Sequence, residues 1–272
     1  MMLEFLKKLY WRKNYFYNNE HTIENISIQN QYKNQLQKYK NKYAGQRCFI
    51  IGNGPSLEPK DLDLIKNEIS FAANRIFYIY DKTEWRPTFY CAQDADVFED
   101  ISNEIEMIAR ESVTCFFASY CKKFMNSTPN NALFYYARLI GAHKSRKFSL
   151  DISKYVDGGG TITYAAIQLA AYMGFKDIYL LGVDHNYASN SFENGKLNAE
   201  DVKKSYFAGM PSSIRLTKPN TDNSTISFME AKQIADHNGF NIYNSTRGGK
   251  LEIFERVSFD DVVRDGKKKT CN

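Results

Sequence analysis

Paired cysteines, long apolar runs and nucleotide fingerprints of the common kinds are all missing from this chain, and each absence closes off a class of protein. The five cysteines, Cys48, Cys91, Cys115, Cys121 and Cys271, form no C-x-x-C pair. Three of them sit inside apolar runs, where a free thiol packs as a small hydrophobe, so a reducing compartment and no structural zinc are expected. No apolar stretch reaches the roughly 18 residues of a membrane span. Met1 to Phe16 lacks the apolar core of a signal peptide because Lys7, Lys8, Arg12 and Lys13 interrupt it. We therefore expect a cytoplasmic protein that neither spans a membrane nor leaves by a standard signal. Neither G-x-G-x-x-G nor G-x-x-x-x-G-K-[ST] occurs at the glycine-rich turn described below, which leaves dinucleotide binding and Walker-type NTPase chemistry unsupported.

What is present suffices for a full core, since 43% of the 272 residues are hydrophobic and 15% aromatic. The charge is strongly localised. Residues 1–44 carry eight lysines and arginines against three glutamates, a surplus that accounts for the whole formal net charge of +5. The remainder is neutral overall, so no nucleic-acid partner is expected. Within the basic segment, Leu3, Leu6, Tyr10 and Phe5, Leu9, Trp11 interleave with cations. That pattern suits an amphipathic helix on an anionic membrane, a peripheral contact with the inner face of the cytoplasmic membrane. A helix docked on its own domain or on a partner subunit of an oligomer fits the same pattern. Residues 17–44 are rich in Asn, Gln, Lys and Tyr with almost no Gly or Pro, as in a polar helical lead-in or linker. The compact domain is expected over 45–263, with 264–272 a flexible basic tail containing Lys267, Lys268 and Lys269.

From Gly45 onward short apolar runs alternate with helical patterns. Strand candidates are Cys48–Gly52, Ile69–Ala73, Thr88–Ala92, Val113–Ala118, Leu133–Ala137, Ile178–Gly182 and Phe240–Tyr243, and helical stretches include Ile101–Arg110, Thr161–Met173 and Thr225–Asn238. Strands apolar throughout and separated by helices indicate an α/β protein with a doubly wound, mostly parallel sheet. Segment 187–224 has few periodic apolar positions and is too long for an ordinary connection. It is expected to form a lid carrying Tyr206, Arg215 and Lys218.

In such sheets ligands sit beyond the carboxyl ends of the strands, so the residues just after each run are the candidate site. They are Asn53 and Ser56, Asn74 and Arg75, Gln93 and Asp94, and Asp184 and His185. In the first group, Gly52-Asn53-Gly54-Pro55-Ser56 reads as a turn whose glycines let a phosphate or sugar approach the main chain. Ser56 is expected to cap the following helix, whose dipole favours an anion. Gly158-Gly159-Gly160-Thr161-Ile162-Thr163 offers a second such turn, with Thr161 or Thr163 as cap. Asp184, His185 and Tyr187 group an acid, an imidazole and a phenol after one strand, and His185 is the leading general base. His21, His143 and His237 are weaker candidates. Asp94-Ala95-Asp96 matches a D-x-D pattern that could hold a divalent metal. Asn244-Ser-Thr-Arg247-Gly248-Gly249 adds a Gly-rich turn with an arginine suited to phosphate or carboxylate. Ser258-Phe-Asp-Asp261 reads as a helix start with first-turn acids.

Three stretches together, Ile51–Leu57, Asn74 and Gly174-Phe175-Lys176-Asp177-Ile178-Tyr179-Leu180-Leu181-Gly182-Val183-Asp184, resemble two related groups. One is the bacterial lipooligosaccharide sialyltransferases that use CMP-sialic acid; the other is the broad MptE-like group, which includes 6-hydroxymethylpterin pyrophosphokinases and Maf flagellin glycosyltransferases. The resemblance runs from about Gly45 to Val263. It implies a single Rossmann-like domain with a lid and the donor over the Gly52–Ser56 turn. By the same resemblance Asn53, Ser56 and Asn74 contact the nucleotide, the Thr161–Thr163 turn touches the donor, and Tyr187 holds its phosphate. The sialyltransferases need no metal for chemistry. Their lid histidine has no counterpart in Asn220–Thr225, which leaves His185 or Asp222 as base. The Asp184-His185-x-Tyr187 and Thr246–Gly249 patterns lie closer to the MptE-like side. Together these features point to a glycosyltransferase without a cofactor, with a nucleotide-sugar donor and a glycan or lipid-linked acceptor. In that assignment His185 and Asp184 are catalytic. The donor is held by Gly52, Asn53, Gly54, Pro55, Ser56, Asn74, Arg75, Gln93, Asp94, Gly160, Thr161, Thr163, Tyr187 and Arg247. The alternatives are a pyrophosphokinase using ATP and magnesium, with Asp94 and Asp96 on the metal, and a non-catalytic nucleotide-binding partner.

Overall fold

The computed structural model describes residues 19–111, 113–138, 146–186, 192–193, 196–197, 205–211 and 221–270. The basic N-terminal stretch 1–16, His143, Tyr187, Arg215, Lys218 and Cys271 lie outside them. Nine strands follow the first helix α1 (Asn19–Gln37) up to the middle of the chain's second half: β1 (Arg47–Ile51), β2 (Ser70–Ala73), β3 (Phe89–Ala92), β4 (Thr114–Ala118), β5 (Ala132–Tyr135), β6 (Ala137–Arg138), β7 (Val156–Asp157), β8 (Asp177–Leu181) and β9 (Phe192–Glu193). β10 (Lys196–Leu197), β11 (Asn241–Asn244) and β12 (Glu255–Arg256) complete them. The intervening helices are α2 (Pro59–Leu64), α3 (Ala95–Asp100), α4 (Ser102–Arg110), α5 (Ile162–Tyr172), α6 (Thr221–Asn238) and α7 (Phe259–Thr270). Two 3₁₀ segments, Asn74–Lys82 and Ser119–Phe124, follow β2 and β4 directly.

Eight strands form one sheet in the order β12-β11-β8-β1-β2-β3-β4-β5, and every ladder between them is parallel. The expected doubly wound α/β class is what forms. The central strands β1 to β4 are buried along nearly their whole length, which is why they read as continuous apolar runs rather than alternating ones. Aromatic rings stitch them together, with Phe71 on Phe89 at 4.7 Å and Phe89 on Phe116 at 5.8 Å between centroids. Helix α5 packs over β1, β2 and β3 with Tyr164, Ile167, Leu169 and Ala170 fully buried. Among the described residues no helix is long and apolar enough to cross a membrane.

Three boundaries differ from the sequence expectation. The fold starts before Gly45: α1 packs on β5 and on Ser119–Phe124, burying Leu36 completely and setting Tyr32 5.2 Å from Phe134. Just beyond it Tyr43 stacks on Phe175 at 5.0 Å. Tyrosines in a polar segment supply much of that contact beside Leu36. At the other end α7 runs to Thr270, so 264–270 is helix rather than a loose tail. The expected lid 187–224 overlaps α6, which begins at Thr221. Within it the described pieces are the antiparallel pair β9–β10 and residues 205–211.

Candidate functional site

The chain adds β2 to β5 on one side of β1 and β8, β11 and β12 on the other, so the strand order reverses between β1 and β8. The crevice outside the carboxyl ends of strands at such a reversal is where α/β proteins bind ligands. Here Gly52–Ser56 and Gly182–His185 meet. The Gly52 N–H donates to Leu181 O at 2.8 Å and the Gly54 N–H to Gly182 O at 2.9 Å. Ser56 donates its hydroxyl to Asp184 Oδ2 at 2.8 Å and its N–H to the same oxygen at 3.4 Å.

These bonds show what holds the turn. The Gly52 and Gly54 amides are engaged with the end of β8 and the Ser56 amide with a carboxylate of the protein itself. Ser56 is not a helix cap; the cap position of α2 is Glu58, with Pro59 starting the helix. Gly54 and Gly249 make room for Asp184, and Gly52 for the close approach of Gly182. A Cβ at Gly54 would lie 2.7 Å from Asp184 Cγ, and one at Gly249 would lie 2.5 Å from Asp184 Cα. Asp184 is thus wedged between two glycine-bearing turns and is 6% exposed. Burial raises its carboxyl above the usual range, and the two bonds from Ser56 partly offset that.

On the other side of β1 the edge is lined with side-chain amides. Asn53 donates Nδ2–H to Ala73 O at 3.1 Å, which fixes its orientation and leaves Oδ1 buried without a hydrogen-bond partner. Asn74 Oδ1 is in the same condition, on a residue held at φ +54°. Buried acceptors of this kind cost free energy unless a donor reaches them. Arg75, 4% exposed, pairs with Asp100 at 2.5 Å. Gln93 donates Nε2–H to Gly158 O at 2.9 Å and its carbonyl accepts from the Tyr120 hydroxyl. It therefore ties the end of β3 to the second glycine-rich turn. Asp94 caps α3, its Oδ1 accepting from Asp96 N at 3.0 Å and Val97 N at 3.1 Å. The first acid of the D-x-D pattern thus serves as a helix cap.

The second turn, Gly158–Thr163, leads into α5, and Thr161 is its cap, accepting from Thr163 N at 3.4 Å. The N-terminus of α5 points to the same edge of the sheet. The first turns of α6 lie against it: Ser227 Oγ donates to Gly159 O at 2.6 Å, and Asn223 lies beside Gly160. Between α6 and β8 sits His185, at φ +52°. Its Nε2 is 2.8 Å from Thr225 Oγ1, and its ring meets Phe228 edge-on at 5.6 Å. Burial lowers the imidazole below its ordinary pKa.

Residues 20–190, well over half of the chain, match the family described as 6-hydroxymethylpterin diphosphokinase MptE-like. The chain belongs to the MptE-like family. Among solved structures it is similar to the Maf glycosyltransferase of Magnetospirillum magneticum AMB-1, with a TM-score of 0.53 and 14% identity, over 89% of this chain and 41% of that one. The MptE-like chain thus spans about two-fifths of that protein. It is also similar to the sialyltransferase CstII of Campylobacter jejuni in complex with cytidine-5'-monophosphate, with a TM-score of 0.47 and 16% identity over 79% of this chain and 86% of that one. The sialyltransferase Cst-I from the same organism scores 0.43 at 14% identity, over 78% and 79% of the two chains. No curated protein matches the sequence.

In this MptE-like chain Arg247, expected on the donor, has another occupation. It grips the fully buried Asp61 through Nε at 2.6 Å and Nη2 at 2.9 Å, and Asp260 through Nη2 at 2.7 Å and Nη1 at 3.1 Å. All three guanidinium nitrogens are engaged, joining α2, the turn after β11 and α7. Asn53, Asn74, Gln93, Gly160, Thr161, Thr163, Asp184 and His185 do share the carboxyl edge. Pro55 is exposed at the tip of the first turn. Two features went unanticipated: Phe207, 1% exposed, whose N–H donates to Asn53 O at 3.1 Å, and the Thr225–Phe228 wall around His185. The signal for the second was the density of small polar side chains in Asn223-Ser224-Thr225-Ile226-Ser227, unusual for a helix that merely covers a sheet.

Proposed function

We propose that this MptE-like protein is a glycosyltransferase of cell-surface polysaccharide or lipooligosaccharide assembly. It moves a sugar from a nucleotide donor to a hydroxyl of a glycan or lipid-linked acceptor, and a CMP-linked acidic sugar such as sialic acid is the first donor to test. One observation carries this reading: a half-buried imidazole at the strand-order reversal shares its edge with two buried, unpartnered amide oxygens, on Asn53 and Asn74. The amide oxygens suit the amino group of a base or a ribose hydroxyl. The N-terminus of α5, capped by Thr161, suits the phosphate that leaves. In the transfer the acceptor oxygen bonds to the anomeric carbon, its proton passes to His185, and the bond from that carbon to the donor phosphate breaks with its electron pair going to the nucleotide. The likeness in fold to a Maf glycosyltransferase supports the same class.

The family match favours a second reading, diphosphoryl transfer from ATP to a pterin-like alcohol. Of the two carboxylates that would hold magnesium in that reading, Asp94 and Asp96, Asp94 already serves as a helix cap through Oδ1. Incubation with CMP-, UDP- and GDP-sugars, and separately with ATP, magnesium and a hydroxymethylpterin, separates the two. Nucleotide release from a sugar donor supports transfer. AMP formation together with inert sugar donors overturns it.

A further inference from the structure

We propose that Thr225 is a positioning residue that holds His185 as the Nε2–H tautomer, so that Nδ1 is the nitrogen that accepts a proton. The base role of His185 rests on the glycosyltransferase reading; the tautomer does not. The imidazole Nε2 lies 2.8 Å from Thr225 Oγ1, and Thr225 Oγ1 lies 2.9 Å from Thr221 O, one helical turn back. Two proton arrangements fit those oxygen and nitrogen positions. In one, Nε2–H donates to Thr225 Oγ1 and the hydroxyl donates to Thr221 O, so every hydrogen has an acceptor and only the Nδ1 lone pair is left over. In the other, the hydroxyl donates to Nε2, and Nδ1 carries a hydrogen for which the described residues supply no acceptor. The Thr225 hydroxyl lies within bonding distance of Thr221 O, and a threonine hydroxyl inside a helix commonly bonds the carbonyl four residues back. The first arrangement is therefore the stable one.

The surroundings keep the ring in that pose. The left-handed backbone at His185 (φ +52°) fixes where the side chain leaves the chain, and Phe228 blocks one side at 5.6 Å. Nearby acids do not compete for the ring: Asp184 turns its carboxylate to Ser56, and Asp222 is exposed on α6. An imidazole with one defined tautomer presents one lone pair in one direction, which is what a base for a single acceptor hydroxyl requires.

Nitrogen NMR of the ¹⁵N-labelled protein tests this directly, with the His185 ring assigned by comparison with His185→Gln. Wild type should show a protonated Nε2 and an unprotonated Nδ1 at pH 7.5. Thr225→Val, nearly the same shape without the hydroxyl, should bring the two nitrogens toward averaged shifts, while Thr225→Ser keeps the wild-type pattern. Circular dichroism and melting confirm that each variant folds. In turnover of a sugar nucleotide, Thr225→Val should lower kcat by roughly tenfold with little change in donor KM, and serine should restore it. A wild-type ring protonated at Nδ1, or a tautomer ratio unmoved in Thr225→Val, overturns the proposal. The predicted tautomer shift in a protein that turns over no sugar nucleotide upholds the positioning and sinks the transferase reading instead.

Discussion

Removing one carboxylate at a time from the Asp61–Arg247–Asp260 clamp separates a buried interaction from an exposed one and tests whether Arg247 is structural. The Asp61 side chain is fully buried and meets the guanidinium with two bonds, whereas the Asp260 side chain keeps 64% exposure. Breaking a buried ion pair by deleting one partner typically costs about 3–5 kcal/mol, because the survivor is left uncompensated. In Asp61→Ala the survivor is Arg247, which is 30% exposed and still holds Asp260, so the loss belongs near the lower end, about 3 kcal/mol. In Arg247→Met the survivor is a carboxylate with no access to water, and the loss belongs near the upper end, about 5 kcal/mol. For larger domains each kcal/mol moves Tm by roughly 2–4 °C. Asp61→Ala should then melt about 6–12 °C below wild type and Arg247→Met lower still. Asp260→Ala should melt close to wild type, since exposed pairs contribute little. Thermal unfolding followed by circular dichroism at pH 7 reads all three, and the Asp61 effect should persist in high salt, where surface pairs are screened. Equal losses for Asp61→Ala and Asp260→Ala would refute the burial argument. An Arg247→Met protein of unchanged Tm that had lost nucleotide-sugar binding would return Arg247 to the ligand.

Further expectations concern the wedge and the imidazole. Gly54→Ala forces a methyl onto the Asp184 carboxylate and should cost about 1–3 kcal/mol in urea unfolding; adding Asp184→Ala should then cost less than it does alone, because the two changes share one contact. Asp184→Asn should raise Tm at pH 7. Burial raises the folded-state pKa of Asp184, so the favourable contribution of its protonated form is present in acid and lost as pH climbs through that raised value; the neutral amide escapes the loss, and its advantage should fade below about pH 4. A less stable Asp184→Asn protein at pH 7 would show that the charge itself is needed by the fold. For transfer activity, kcat/KM should fall on the acid side at a pH below the ordinary histidine value of about 6.5, since burial depresses the His185 pKa. His185→Gln should lose roughly 10²–10⁴-fold in kcat and, with it, that acid limb.

The sheet was legible because of how it is built. A parallel strand covered on both faces must be apolar at consecutive positions, and Cys48–Ile51, Phe71–Ala73 and Cys115–Ala118 advertise themselves that way. That the candidate residues share one edge was legible for a topological reason, since the residues after parallel strands all lie at the same end of the sheet. The occupants of the turns were not. What fills the space beside Gly54 is a carboxylate from residue 184, and no local spacing announces an approach across that much sequence. A similar limit applies to Asp94, where a metal pair and a helix cap share one pattern and only the backbone direction after Asp94 distinguishes them. Helix α1 was expected as a polar lead-in, but its packing on the domain was not, because its buried face is made of Asn25, Gln29 and Leu36, too polar to register as an amphipathic stripe. The two-residue strands β6, β7 and β12 are shorter than any periodicity.

The position of β1 has a consequence for biosynthesis. Each residue of β1 pairs with one 130 positions later in β8, so while β2 to β5 are made and assemble on one flank, the other flank of β1 waits. At translation rates of roughly 5–20 residues per second that wait lasts about 7–26 s. For its duration the nascent chain carries an open row of backbone donors and acceptors along a strand of Cys, Phe and Ile, the kind of edge that recruits foreign strands. The interval ends with the arrival of Asp177–Leu181, and the three residues after it bring Asp184 into place beside Gly54. Until then the ribosome holds a half-sheet that chaperones must shield, and slowing elongation between codons 140 and 175 should lower the yield of soluble protein.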